Sequence, residues 1–460
     1  MKHLGFETRR SASLRSHTPG GRGHRIASSS PVLISIALLG LLSGILGWQH
    51  EGNAQTVREP NAAPTLTMHP NGRFYAKRNT SPATLWFPTG PGDPEDFLCR
   101  SATERARIVD RLNGGNTLYV MAVKTHGGDG PARCNPWIGG NPSNDLDTEK
   151  LNDWYTVLNQ ADNKGVVIHF FIYDDDSCPW GARTACEART SLGSDERDFI
   201  DALVDRFETL SNLVWVVAEE YPDAVRSSRA TAIARRIQLR DTAHPVGIHQ
   251  RTGDTTFDFP NDNNFDVFLM QMGNTVRSSQ RIHEIIRTEY NAAAGRYAVV
   301  LGELLDWHQE LLDAGDRANL RRSNWAAAMA GAAGTLVLGT WAPGVTPPTQ
   351  AMLNDMYRVH ALLKGNDKSD LSNAPSSRLG TTRYVRKNTE NTKILVYSET
   401  CTRAPYPAVT SLRSGTYRAT WMNTVNGTRV TETISSNGGS HNFGVPPTGI
   451  GTECLIWVRP

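Results

Sequence analysis

The chain has 460 residues, 39% hydrophobic and 20% charged, enough to bury a large core in two or three domains and unlike collagen, coiled coil or disordered sequence. Its 48 basic and 46 acidic residues give a net charge of +2. Residues 1–54 hold 6 of the basic and 2 of the acidic ones, leaving 42 against 44, so the remainder has no electrostatic case for nucleic-acid binding.

Arg9, Arg10, Arg15, Arg22 and Arg25 precede the apolar run Val32–Trp48 and a polar EGNAQT. A basic leader, an apolar stretch and small residues before a cut after Ala54 predict a secretory signal over 1–54. The run is about 17 residues, the lower limit for a spanning helix, so an uncleaved membrane anchor through Val32–Trp48 is the open alternative. Either way the rest is expected to be secreted, periplasmic or at the cell surface. The cysteines fall as Cys99 and Cys134, Cys178 and Cys186, Cys401 and Cys454. An even count in an exported chain favours disulfides, and the local spacing suggests one bridge per successive pair. No CxxC or His-rich cluster points to a metal.

After the linker-like EPNAAPTL, strands and helices alternate. An early strand is predicted near Arg73–Arg78. Ser101–Gly115 reads as a helix with the capping box Ser101-x-x-Glu104, followed by a strand at NTLYVMAV (Asn116–Val123). Asp147–Ala161 places Leu151, Trp154, Tyr155, Leu158 and Ala161 on one helical face, and VVIHFFIY (Val166–Tyr173) follows. SDERDFIDALVDRFETL feeds NLVWVVAEE, whose apolar run stops on Glu219 and Glu220. Further strands are predicted at Pro245–Arg251, Phe265–Gly273, Arg296–Leu304 and Thr335–Trp341, each preceded by a helix or a polar connection. Strands apolar throughout suit a parallel sheet covered on both faces, and about eight of them fit a (β/α)8 TIM barrel over 65–370. No GxGxxG follows the first strand. From about Asn373 the texture changes to short strands with an Asn426-Gly427 hairpin turn, predicting a small all-β sandwich over 373–460 in which Cys401–Cys454 pins the last strand.

In such a barrel the chemistry sits at the carboxyl ends of the strands. The fourth ends on Glu219 and Glu220, and the seventh on Glu303, with Asp306 and Trp307 behind it. The third ends on Tyr173 and Asp174-Asp175-Asp176. The fifth carries His249, the sixth Gln271 and the eighth Trp341, while His126 lies on the Gly-rich loop after the second. Two carboxyls among aromatic and amide side chains are what glycoside hydrolysis needs. Aromatic rings give sugars a flat apolar surface; His and amides bond their hydroxyls. Side chains alternate along a strand, so only one of Glu219 and Glu220 is expected to face the barrel mouth. The acidic run Asp174–Asp176 has a calcium reading beside the plainer one of a substrate rim.

The segments NLVWVVAEE, VVLGE and RRSNWAAAMAGAAGTLVLG, with RATWMNTVNGT and CLIWV near the C-terminus, resemble the apiosidase-like family of clan A TIM-barrel glycoside hydrolases. Those barrels precede a small β-sandwich labelled as collagen-binding, a label that a fold alone does not establish. The resemblance implies Glu220 as general acid/base and Glu303 as nucleophile; position at the strand ends makes Glu219, His249, Gln271, Tyr173, Trp307, Trp341 and His126 candidate substrate contacts. Where relatives commonly read Gly-Gly-Asp, this chain reads Ala218-Glu219-Glu220. The implied reaction is hydrolysis of plant or microbial oligo- or polysaccharide by a monomer without cofactor or metal. A retaining mechanism sets the two carboxyls about 5–5.5 Å apart, an inverting one about 6.5–9.5 Å. The alternatives are a non-catalytic carbohydrate-binding or adhesion protein on a decayed barrel, and a metal-dependent barrel hydrolase enlisting His169 and His249.

Overall fold

Leu66–Met68 (β1), Tyr75–Lys77 (β2) and Thr84–Trp86 (β3) pair antiparallel in a small sheet. The computed structural model describes residues 65–78, 83–90, 96–124, 135–175, 178–181, 183–223, 225–273, 278–304, 314–336, 348–373, 377–378 and 383–460. The expected leader, with Val32–Trp48, lies outside them, as do His126, Trp307 and Trp341. Among the described residues no helix is long and apolar enough to cross a membrane.

Seven parallel strands follow, hydrogen-bonded in sequence order: Thr117–Val123 (β4), Val167–Tyr173 (β5), Leu213–Ala218 (β6), Val246–His249 (β7), Val267–Met272 (β8), Ala298–Leu304 (β9) and Gly334–Thr335 (β10). One residue closes them into a barrel. Thr89 makes parallel bridges to Asn116, just before β4, and to Thr335 in β10. Its N–H donates to Gly115 O at 2.9 Å, and Thr335 N–H donates to Pro88 O at 3.0 Å. The first position of the eight is therefore this bridge, not the predicted strand near Arg73–Arg78. Pro88 has no N–H to give a ladder, so the pairing here stays short. Tyr75–Lys77 instead joins the antiparallel sheet, which meets the residues before β6 through Leu66 N–H to Ser211 O at 2.7 Å and through Lys77 Nζ to Asn212 Oδ1.

Every residue of β4, β5, β6, β8 and β9 is buried, because alternate side chains face two apolar environments. Tyr119, Met121, Phe171, Val216, Leu269 and Val300 pack in the barrel interior. Val120, Phe170, Trp215, Phe268 and Leu301 pack outward, against helix residues such as Leu158, Leu203, Ile233 and Ile286. Those helices are Ala102–Arg111 (α1), Thr148–Asn163 (α2), Arg183–Ala188 (α3), Ser194–Phe207 (α4), Ser227–Arg240 (α5), Ser279–Ala293 (α6), Ala314–Ala330 (α7) and Gln350–Leu363 (α8). The capping box that starts α1 is formed: Glu104 N–H donates to Ser101 Oγ, and Ser101 N–H donates to Glu104 Oε2. Asp147 caps α2 by accepting from Lys150 N–H at 3.0 Å.

The C-terminal region is all β. Ser377–Arg378 (β11), Arg383–Lys387 (β12), Ile394–Ser398 (β13), Ala408–Leu412 (β14), Gly415–Asn423 (β15), Arg429–Ser436 (β16), Gly439–Asn442 (β17) and Cys454–Arg459 (β18) form antiparallel sheets. Six strands run in the order β11-β12-β13-β18-β15-β16, and β14 pairs with β17. The β15–β16 hairpin turns through Gly427 at φ +81°, as the Asn-Gly pair predicts. Cys401 and Cys454 are bridged, which ties β18 to the turn after β13. Cys99 and Cys178 each take part in a disulfide as well; Cys134 and the Cys186 side chain lie outside what is described. Helix α7 carries the contact with the barrel. Arg321 clamps Glu453 through two bonds of 2.8 and 2.9 Å and also reaches Asp355, while Trp325 stacks on Tyr397.

Candidate active site

β6 ends at Ala218, and the chain turns through Glu219 and Glu220 into a 3-10 turn at Tyr221–Asp223. Glu220 has φ +34°, a backbone state that a non-glycine residue keeps only where its surroundings hold it. The turn ends strand alternation, so both glutamates meet groups at the barrel mouth. The expectation that only one would do so assumed that the strand ran on through them.

Gln271, at the end of β8, hydrogen-bonds the half-buried Glu220 carboxyl. Burial pushes that carboxyl up to about 7; the Gln271 bond lowers it, and Asp175 and Asp223 raise it. Gln271 also pairs in register with Glu303 on β9. Glu220 and Glu303 therefore lie to either side of Gln271, and Glu303 is only 4% exposed.

His249, at the end of β7, joins the two glutamates from below. The Glu220 N–H donates to His249 Nδ1 at 3.2 Å, which leaves the ring proton on Nε2, 3.8 Å from Glu303 Oε2. Burial lowers the ring to about 3, so it is neutral and this contact is no ion pair. Gly302 makes room for the ring: a Cβ there would sit 3.0 Å from both His249 Cδ2 and Leu269 Cβ.

Glu219 is buried on the other side of His249 and accepts a 2.7 Å bond from the Tyr119 hydroxyl. Its carboxyl is pushed well above the usual range by burial first, then by Glu303, Asp174 and Asp175, with Lys124 opposing. One donor atom each from Glu219, His249 and Glu303 lies within 4.8 Å of the others, as does one each from Asp174, Asp175 and Glu219. Such sets are close enough for a cation. Lys124 already places an ammonium among them, 3.8 Å from Asp174 Oδ2 with both side chains fully buried, and a fixed ammonium repels a dication.

Tyr173 does not join this group. Its hydroxyl donates to Glu196 on α4 at 3.0 Å and accepts from Trp180 Nε1 at 3.1 Å, so it braces the helix layer instead of offering a face to sugar. His169 lies within the barrel near Tyr75, and burial lowers it to about 3. A cavity of about 600 Å³ lies beside the loops before α2 and α4, walled by Trp180, Arg189, Asn141 and Glu196; Glu219, Glu220 and Glu303 do not line it. Tyr119 and Lys124 were missed from the sequence. Lys124 directly follows an apolar strand, so the same strand-end rule that singled out Glu220 would have found it.

A closed parallel barrel with acidic side chains gathered at its strand ends is the architecture that TIM-barrel glycoside hydrolases share. Residues 110–337 match the family model described as Apiosidase-like, catalytic domain, and over that segment the chain is similar to this family. No curated protein matches the chain. Among solved structures, a Bacteroides vulgatus ATCC 8482 protein assigned as a glycoside hydrolase aligns with TM-score 0.61 at 12% identity, over 87% of this chain and 83% of its own. A structure described as a glycoside hydrolase gives 0.58 at 14% identity, over 86% and 97%. A glycoside hydrolase family 5 protein from Bacteroides vulgatus ATCC 8482 gives 0.57 at 13%, over 86% and 93%. At these identities the likeness is one of fold.

Proposed function

We propose that the chain is an exported, monomeric, retaining glycosidase acting on plant or microbial oligo- or polysaccharide, with Glu220 as general acid/base and Glu303 as nucleophile. The observation that carries this reading is the half-buried Glu220, raised to about 7 chiefly by burial, across Gln271 from Glu303. A carboxyl near 7 keeps its proton at neutral pH and can release it on demand.

Glu220 gives that proton to the leaving glycosidic oxygen while a Glu303 oxygen bonds to the anomeric carbon, forming a glycosyl ester. Glu220, now ionised, takes a proton from water; the water oxygen bonds to the same carbon and Glu303 leaves as carboxylate. His249 Nε2–H and the Gln271 amide are placed to hold sugar hydroxyls. Trp307, Trp341 and His126 are retained as proposed sugar contacts, and the leader as the export signal or anchor.

A screen of polysaccharides and aryl glycosides tests the reading. Wild type is expected to turn over at least one, and Glu220→Gln and Glu303→Gln to lose about 10²–10⁴-fold in kcat. Binding without turnover by wild type would reassign the chain as a carbohydrate-binding barrel. The chemistry runs on carboxyls alone, so chelator treatment should leave kcat/KM unchanged; loss on chelation with recovery on adding a divalent cation would move the reaction to a metal.

A further inference from the structure

Two buried carboxyls lie close together at the strand ends. Glu219 is 6% exposed and Glu303 4%, and an oxygen of each, with a His249 nitrogen, falls inside a 4.8 Å set. The neighbours come from four other strands or their ends. β5 is followed by Asp174 and Asp175; β4 brings Tyr119 and is followed by Lys124; β7 brings His249 and β8 Gln271. Lys124 pairs with Asp174, and His249 is neutral. Among the described residues Lys124 is the cation set among these carboxyls, and like charges crowded out of water retain a proton.

The surrounding groups decide where that proton sits. Glu303 has the neutral His249 ring beside it, with Nε2 3.8 Å from Oε2, and that ring adds no negative charge. Glu219 lies against Asp174 and Asp175 as well as Glu303, all of which disfavour its charge. The Tyr119 hydroxyl occupies Glu219 Oε1 as an acceptor, so a proton on Glu219 belongs on Oε2.

We propose that Glu219 is held as a neutral carboxylic acid and acts as a positioning residue, donating a hydrogen bond from Oε2 to the Glu303 carboxylate and orienting it for attack. The role in attack rests on the hydrolase reading above; the protonation state does not. With Glu219 ionised, Glu303 would face a second negative charge in place of a donor. With it neutral, Glu303 gains a hydrogen-bond donor from Glu219 beside the neutral His249 ring.

The test has two arms. The infrared difference spectrum of wild type minus Glu219→Gln at pH 7 should show the C=O stretch of a protonated carboxylic acid, and a carboxylate band in its place would overturn the proposal. That arm needs no turnover, so it reads the proposal even where the hydrolase reading fails. On a glycan that wild type hydrolyses, Glu219→Ala should lower kcat by about 10²-fold, and Glu219→Gln, which restores a neutral donor, should recover most of that loss. In Glu219→Gln, which keeps a neutral donor, the acid limb of kcat/KM should stay in place; in Glu219→Ala, which loses the donor that favours ionised Glu303, it should move upward. An acid limb displaced downward by a full pH unit in Glu219→Gln, or a Gln variant as impaired as Ala, would overturn it. Equal melting temperatures for the two variants separate positioning from lost folding.

Discussion

Glu219 and Glu220 are chain neighbours with different surroundings, and the difference assigns their chemistry. Glu220 is half buried and meets Gln271; Glu219 is closed from water among Tyr119, Glu303 and two aspartates. Because Glu220 must be protonated to act as acid, wild-type activity should fall as pH rises through about 7. The Gln271 hydrogen bond favours the charged form of Glu220, so Gln271→Ala should move that alkaline limb upward, read from kcat/KM against pH. A limb that stays put would detach Gln271 from the acid. His249 depends on the missing side chain at Gly302, so Gly302→Ala should push the ring and lower kcat/KM by roughly 10²-fold at a nearly unchanged melting temperature. The sequence marked Glu220, Glu303, His249 and Gln271 because each closes an apolar strand, and the structure brings all four together. It did not mark Tyr119, since an aromatic within a strand reads as core until its hydroxyl is seen to meet Glu219. It misplaced Tyr173, whose direction depends on α4 and Trp180.

The elements rest on paired buried groups as much as on apolar area. Between α5 and β7, Asp241 accepts from Trp215 Nε1 at 2.9 Å and lies 2.6 Å from His244 Nδ1. Burial alone would raise its carboxyl, but the His244 and Trp215 bonds outweigh that and hold it at about 2. A depressed carboxyl stabilises the fold above its unfolded value of about 3.9 and loses that contribution as pH falls toward 2. Asp241→Asn should therefore cost about 2 kcal/mol at pH 6, with the gap to wild type narrowing between pH 4 and 2 in urea melts. A gap independent of pH would contradict the linkage. Alternation of strand and helix was legible because both faces of each barrel strand are buried, which makes the run apolar without a period. The barrel's first position was not legible. A strand reduced to one bridging residue, Thr89 beside Pro88, carries no hydrophobic pattern, whereas Tyr75–Lys77 does and belongs elsewhere.

At the scale of the whole molecule, the barrel and the C-terminal β region are joined through buried charge and stacked rings. Arg321 and Glu453 are 5% and 2% exposed, and Asp355, Arg322, Arg317 and Arg358 extend the network. Removing Glu453 leaves Arg321 to share Asp355 with Arg317 and Arg358, an excess of buried positive charge, so Glu453→Ala should lose roughly 3 kcal/mol, measured by denaturant unfolding, and should reduce activity only through the folded fraction. A separate early transition for the β region, with the barrel unaffected, would contradict this mutual bracing. No single segment of the sequence could announce such a joint, because Arg321 and Glu453 stand 132 positions apart.

The claim that unites these scales is attack by Glu303 with Glu220 as acid and then base. The most direct measurement is the anomeric configuration of the first-formed sugar, followed by proton NMR during turnover of whichever glycan the screen identifies. Two successive displacements at one carbon predict that the product keeps the configuration of the substrate. A product of inverted configuration would contradict Glu303 as nucleophile.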